Sequence, residues 1–210
     1  MAERPNLLTG EDLPPAPRQK RSLAKHARLR KAGLQVFRDK GYEAASIEEV
    51  ARRAGMAVGG FYQHFRSKRQ LLLALMDELL ERLAQLNLAS DGGGDVRANL
   101  HQFLSRALAA DLRYLGAYRA WREAALSDPE LAGKQRRIHE WTVARISGLL
   151  TRLGQLPGAR RGVDIQGLAA VLDSMFWDFL ARASRMPPAG RARWLAAIVH
   201  LIYHAILTSP

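Results

Sequence analysis

His200 and His204 stand four residues apart, the spacing that places two imidazoles on one helix face, within reach of a metal ion. No carboxylate stands beside them, and Ile202 and Tyr203 between them fit a packed interface, so the expectation is structural histidines and no metal. The 210-residue chain has no cysteine, which excludes disulfides, cysteine zinc sites and thiol catalysis. Neither a phosphate-cradling glycine motif on a strand nor a metalloprotease helix motif occurs. Asp178, inside Phe176-Trp177-Asp178-Phe179, has Arg182 four residues on for a plain helical ion pair. No enzyme and no cofactor are expected.

The chemistry that remains is that of binding a polyanion. Lys and Arg number 32 against 20 Asp and Glu, a formal charge of +12. The excess is uneven: residues 1–70 hold 15 basic against 7 acidic side chains. A basic block on one module points to nucleic acid, with simple solubility as the alternative. Within it, Ser46 and Glu49 have the spacing of a capping box, which starts a helix. Ile47, Val50 and Ala54 form its apolar face, Ala51 is small enough for a second helix to cross, and Gly55 falls where a tight turn needs positive φ. Met56 and Phe61 then plug the angle between two helices. These are the steric needs of a helix-turn-helix, although an ordinary helical hairpin shares part of the pattern.

A longer stretch carries a resemblance. Leu29 to Phe37, Lys40-Gly41-Tyr42, Ser46 to Gly55, and Gly59-Gly60-Phe61-Tyr62-Gln63-His64-Phe65-Arg66-Ser67-Lys68 follow in order. Together, over about residues 22–72, they closely resemble the DNA-binding domain of TetR-family regulators. The resemblance implies that the third helix lies in the major groove and offers Ala57, Val58, Gly59, Gly60, Gln63 and His64. Gln63 is the candidate for direct readout, because an amide pairs bidentately with adenine. Ala57 and Val58 would touch a thymine methyl. Tyr62, His64 and Lys68 match positions that contact phosphates, and Ser46 would offer its hydroxyl or its helix N-terminus to another. Tyr62 reads equally as core, Phe61 and Phe65 as core, and Arg52 and Arg53 as backbone contacts or a solvated face. Ala57 and Gly60 depart from the Ser or Thr of many relatives. Ala57 forgoes an N-cap worth on the order of 1 kcal/mol, and Gly59-Gly60 weakens the helix by roughly 1 kcal/mol per glycine.

The elements that must position these residues are helices throughout. Strand alternation is absent, and Ala, Leu and Arg dominate. The fold class expected is all-α, about nine helices: a three-helix DNA-binding domain joined by a long helix to a helical ligand-binding and dimerisation domain. The proline-broken segment 1–21 reads as a flexible basic tail, either solubilising or laid along DNA. Residues 22–68 form the DNA-binding domain and 69–210 the ligand-binding and dimerisation domain. Start and stop signals divide the helices: Ser67, Asp91-Gly92-Gly93-Gly94, Asp95, Ser127-Asp128-Pro129, the 154–162 loop, Asp164, and Met186-Pro187-Pro188. No secretory signal or membrane span is visible, so a cytoplasmic location is expected.

The body carries more apolar surface than a DNA reader needs. His101, Phe103, Tyr118, Trp121, His139, Trp141, Phe176 and Trp177 are candidates to line a pocket for a flat or apolar effector, with core as the plainer reading of each aromatic. Arg106 is a further polar candidate. Leu168, Leu172, Met175, Phe176, Phe179 and Leu180, then Trp194, Ile198, Leu201, Ile202 and Ala205, recur at helical spacing. They read as the faces of a homodimeric four-helix bundle. The function expected is a regulator, by resemblance a repressor, released from a palindromic double-stranded operator by a small effector. A ligand-independent architectural DNA binder is the alternative.

Overall fold

The computed structural model describes residues 3–86, 95–183 and 185–207. Among them the helices are α1 (Lys20–Lys40), α2 (Ile47–Arg53), α3 (Val58–Tyr62), α4 (Lys68–Ala84), α5 (Val96–Arg113), α6 (Leu115–Ala124), α7 (Pro129–Leu153), α8 (Ile165–Ala183) and α9 (Pro188–Ile206). No strand forms among these residues, only a lone bridge between Ala159 and Leu207. The start signals act as written. Ser67 Oγ accepts from the Gln70 amide at 3.1 Å. Asp128 accepts from Glu130 and Leu131 at 2.9 and 3.1 Å, with Pro129 opening α7. Asp95 and Asp164 each accept from an amide in the first turn that follows. The Asp91–Gly94 break lies outside the described residues.

The chain divides into two compact units. The head unit gathers Asn6–Glu81 and Arg113–Gln135, and the body unit the described parts of Met1–Pro5, Arg82–Leu112 and Arg136–Pro210. In the head, α1 buries Leu29, Ala32, Gly33, Val36 and Phe37, the stripe its helical spacing predicts. Val50 and Ala51 of α2, Phe61 of α3, and Leu71, Leu72, Leu75, Met76 and Leu79 of α4 are buried with them. α6 lies directly on the α1 backbone. A Cβ on Gly116 would stand 2.1 Å from the Leu34 carbonyl oxygen, so only glycine fits there.

Residues 7–12, within the segment expected as a flexible tail, form a strap against the head unit. Leu7 is 0% exposed, a burial worth about 1.5–3 kcal/mol. Its amide donates to Asp77 Oδ1 at 2.9 Å, and its carbonyl accepts from Lys134 Nζ at 2.8 Å. Lys134 is itself only 2% exposed, and Glu130 stands 3.4 Å from its ammonium. A buried ammonium requires such partners. Farther along, Asp12 pairs with Arg66 at 2.9 Å, and its carbonyl accepts from Gln70 Nε2 at 3.0 Å.

The body unit has its own core, in which Leu100, Leu149, Leu150, Leu153, Leu172, Ile198, Val199, Ile202 and Ile206 are buried together. Phe179 of α8 stacks on Trp194 of α9 with ring centroids 3.8 Å apart. The stripes expected as a dimer face are therefore narrower than predicted. Leu172, Phe179, Leu180, Ile198 and Ile202 are used inside the protomer, whereas Val171, Met175 and Leu201 remain exposed. A wide apolar stripe serves two surfaces, and periodicity cannot apportion it. His200 and His204 do share a face, with centroids 4.3 Å apart. Among the described residues no group of three or more His, Asp or Glu side chains is placed to hold a metal.

Candidate nucleic-acid interface

Ser46 starts α2 as its N-cap, its Oγ accepting from the Glu49 amide at 3.2 Å. The reciprocal half of the capping box is missing. The Glu49 carboxylate turns instead to Lys40 and to Arg53, 3.0 Å away. Lys40 first, then Arg53 and Arg52, holds Glu49 below the usual carboxylate range. Arg53 also reaches Asp39 at 2.6 Å and depresses its carboxyl likewise. Arg53 is thus engaged within the head, whereas the Arg52 side chain is 75% exposed.

The turn after α2 closes as a Schellman motif, with Gly55 donating to Arg52 and Met56 to Ala51 at 3.1 and 3.0 Å. Gly55 has φ +67°, as its place in the sequence requires. α3 follows from Ala57, which supplies no side-chain cap. The helix spans five residues and is held by its apolar side: Phe61 and Phe65 are buried, with ring centroids 5.7 Å apart.

The other side of α3 is open. Ala57, Gly59 and Gln63 are exposed, Val58 and Gly60 are half-buried, and Tyr62 is 50% exposed with its ring edge on Phe61. This resolves Tyr62 as a surface residue rather than core. A Cβ on Gly59 would meet nothing, so the protein's own packing does not demand glycine there. Basic residues of α1 border this region. The Arg28 guanidinium lies 3.8 Å from where a Gly55 Cβ would stand, and Lys25 is near enough to His64 to depress its pKa.

His64 is placed differently from the exposed residues of α3. It follows the end of α3 on the inner side and is only 6% exposed. Its ring meets His26 edge-on at 5.3 Å, and neither nitrogen has a hydrogen-bond partner. Burial first, then Lys25, lowers its pKa. His26 stacks on Phe65 at 4.9 Å. Burial, Arg30 and His64 lower its pKa to about 4, against a weaker opposite pull from Glu78.

Lys68 also differs from expectation. Its ammonium donates to the carbonyls of Tyr42, Glu43 and Ala45 at 2.9, 3.1 and 3.2 Å and lies 4.6 Å from the Tyr42 ring centre. All three hydrogens of an ammonium are thereby engaged. Lys68 clamps the α1–α2 turn from the α4 side. From the other side, Glu123 of α6 accepts from the Tyr42 amide at 2.5 Å.

Comparison with known proteins agrees with this geometry. The family described as bacterial regulatory proteins, tetR family, matches residues 29–75. The HTH-type transcriptional activator FasR of Mycolicibacterium smegmatis is 36% identical over 77 residues, 34% of this chain and 35% of that protein. The A-factor receptor protein of Streptomyces griseus is 49% identical over 47 residues, 22% of this chain and 17% of that one. A crystal structure of a transcriptional regulator from Rhodococcus sp. RHA1 superposes with TM-score 0.62 at 25% identity, over 88% of this chain and 99% of that one. The helix-turn-helix region, residues 29–75, matches the tetR family, and the chain is similar to regulators of that family. It spans about a third or less of the length of the two curated relatives named here.

The eight residues expected to line a pocket divide between the two units. Tyr118 and Trp121 belong to the head unit, where both are buried and the Trp121 indole donates to Gln135. The other six lie in the body unit. His101 is exposed beside Ser105, Phe103 packs against the core, and Trp141 is buried under the Arg145 guanidinium. Phe176 packs on Phe179 and Trp194. His139 and Trp177 do meet, 4.9 Å apart. His139 Nδ1 is 2.5 Å from Asp173, a nearly buried carboxylate that also accepts from Thr142 at 2.6 Å. Sequence reasoning missed Asp173 and Lys134. Both had a readable signal: a charge on an apolar stripe, Lys134 between Leu131 and Ile138 and Asp173 next to Leu172.

Proposed function

We propose that the chain is a DNA-binding transcription regulator that works in the cytoplasm as a homodimer, with α3 in the major groove and Gln63 reading a base. The observation that carries the reading is the open face of α3. It is exposed at Ala57, Gly59, Tyr62 and Gln63, fixed from behind by Phe61 and Phe65, and bordered by cationic α1 residues. Tyr62 and Arg52 then meet phosphates, and Lys68 and Ser46 set the turn and helix that carry α3. Val171, Met175 and Leu201 supply an apolar face for a second copy, and two heads one DNA turn apart read a palindrome. The domain division proposed is residues 22–68 for DNA and 69–210 for effector and dimer. Helices α4 and α7 each have residues in both compact units. His139 and Trp177 are the pair best placed to meet an apolar or aromatic effector. The direction proposed is repression relieved by effector; FasR, named an activator, shows that a relative can act the other way.

The test is selection of duplexes from a random-sequence pool by the purified protein, followed by affinity measurement at several salt concentrations. A palindrome bound about a thousandfold tighter than random DNA is expected. Equal, salt-dependent affinity for all duplexes would instead establish an architectural binder. A reporter under the selected site, with and without the gene, fixes the direction.

A further inference from the structure

Lys68 and Arg69 are neighbours at the start of α4 and engage different partners. Lys68 holds the three carbonyls of the α1–α2 turn. Arg69 binds three carboxylates: Glu11 of the strap at 2.6 Å, Asp128 at 2.9 Å and Glu130 at 2.7 Å. Asp128 is the N-cap of α7, and Glu130 lies in its first turn. Burial opposes the charge on Arg69, yet its hydrogen bonds to Asp128, Glu11 and Glu130 prevail and raise its pKa further. The same carboxylates answer to it: Asp128 and Glu130 are both held below their ordinary pKa, with Arg69 the leading favourable partner.

We infer that Arg69 is a positioning residue for DNA reading, through which the first turn of α7 and the N-terminal strap set the α1–α2 turn. The inference rests on the DNA-binding reading above. Its physical basis is a continuous series of contacts within the head unit. The α7 N-cap fixes Arg69, and Arg69 fixes the first turn of α4. Lys68 on that turn fixes residues 42–45, which lead into Ser46 and α2. The Gly55 turn then carries α2 into α3. The two side-chain links, Arg69 and Lys68, are charged groups each engaged by three partners, so a shift of one partner is felt as a lost or lengthened hydrogen bond. The strap adds a second hold on the same cluster, since Lys134, one turn beyond Glu130, donates to Leu7 and pairs with Glu130.

The test uses the full-length protein and the duplex that the wild type selects from a random pool. Three variants are compared: Arg69→Gln, Glu11→Gln, and Asp128→Asn, whose amide oxygen can still cap α7 while the charge is lost. Affinity is measured across a salt series, and amide hydrogen exchange is followed at residues 42–45. Arg69→Gln is expected to weaken binding about fivefold to tenfold, and to speed exchange at residues 42–45. Its salt slope should match the wild type, whereas loss of a phosphate contact would lower the slope by about 0.9. Asp128→Asn should act in the same direction, less strongly, and add little to Arg69→Gln in the double variant.

Wild-type affinity and exchange in Arg69→Gln would overturn the inference. A reduced salt slope would do so too, by making Arg69 a phosphate ligand. If Arg69→Gln does not fold, Asp128→Asn and Glu11→Gln decide: unchanged binding and exchange in both would leave Arg69 a purely structural residue. Failure of the wild type to select any duplex would sink the DNA-binding reading instead, and the exchange arm would still report on the relay.

Discussion

α2 and α3 are consecutive helices of seven and five residues, and they are stabilised in opposite ways. α2 carries its own support: a serine cap, a Schellman stop and a lattice of ion pairs around Glu49 and Arg53. α3 has no side-chain cap and two glycines, and it is held from outside by Phe61 and Phe65. The self-supporting helix keeps Glu48 and Arg52 exposed, while Glu49 and Arg53 are engaged within the head. The helix held from behind keeps its whole outer face for a partner. On the proposed DNA-binding function, base reading falls to α3 while α2 carries its own support.

The largest break in this comparison is Phe61→Ala. Emptying a fully buried aromatic site should destabilise the head by about 3–5 kcal/mol, which urea unfolding will register. α3 depends on that ring, so DNA binding should fail with it. A smaller effect should come from the imidazole beneath α3. The pKa of His26 is lowered from 6.5 to about 4, so the unfolded chain takes up the proton first as pH falls. Its contribution to stability is whole above pH 6.5 and is lost as pH drops through about 4. The loss should be on the order of 2 kcal/mol, seen as a steeper fall of unfolding free energy between pH 7 and pH 4 in the wild type than in His26→Gln. Equal slopes would remove His26 from the acid response.

Gly55→Ala tests the turn between the helices. A Cβ there meets only Arg28, at 3.8 Å, so the whole cost, about 1–2 kcal/mol, is backbone strain at positive φ. The smallest change sharpens the comparison. Ala57→Ser supplies the missing cap and should stabilise the protein by about 0.5–1 kcal/mol in a thermal melt. If α3 gains stability this way without gaining affinity for DNA, the division of labour between the two helices holds.

Much of this was legible in advance. The α1 stripe, the Ser46 cap, the positive φ at Gly55 and the Asp128-Pro129 start all depend on neighbours within a few residues, and the structure bears them out. What was hidden depends on distance. His64 occupies a position read as a phosphate contact, and only the packing of α1 behind it turns it inward. Lys68 matches a phosphate-contacting position but finds its acceptors 23 to 26 residues away. The aromatic candidates of the body could be named but not divided between two units, because composition does not reveal which core a ring enters. The prolines around the strap argue correctly against helix, but a chain without helix is not thereby mobile. Leu7 is fixed by residues 70 and 127 positions away.

Lys134 shows what that last point means for handling the protein. A chain trimmed at residue 19, as its composition invites, would strip two carbonyls from an ammonium that is 2% exposed. It would also uncover the apolar seat of Leu7. The shortened protein would carry a sticky, half-solvated scar on the unit that holds the helix-turn-helix, and aggregation in such a preparation would be a product of the trimming rather than a property of the full chain.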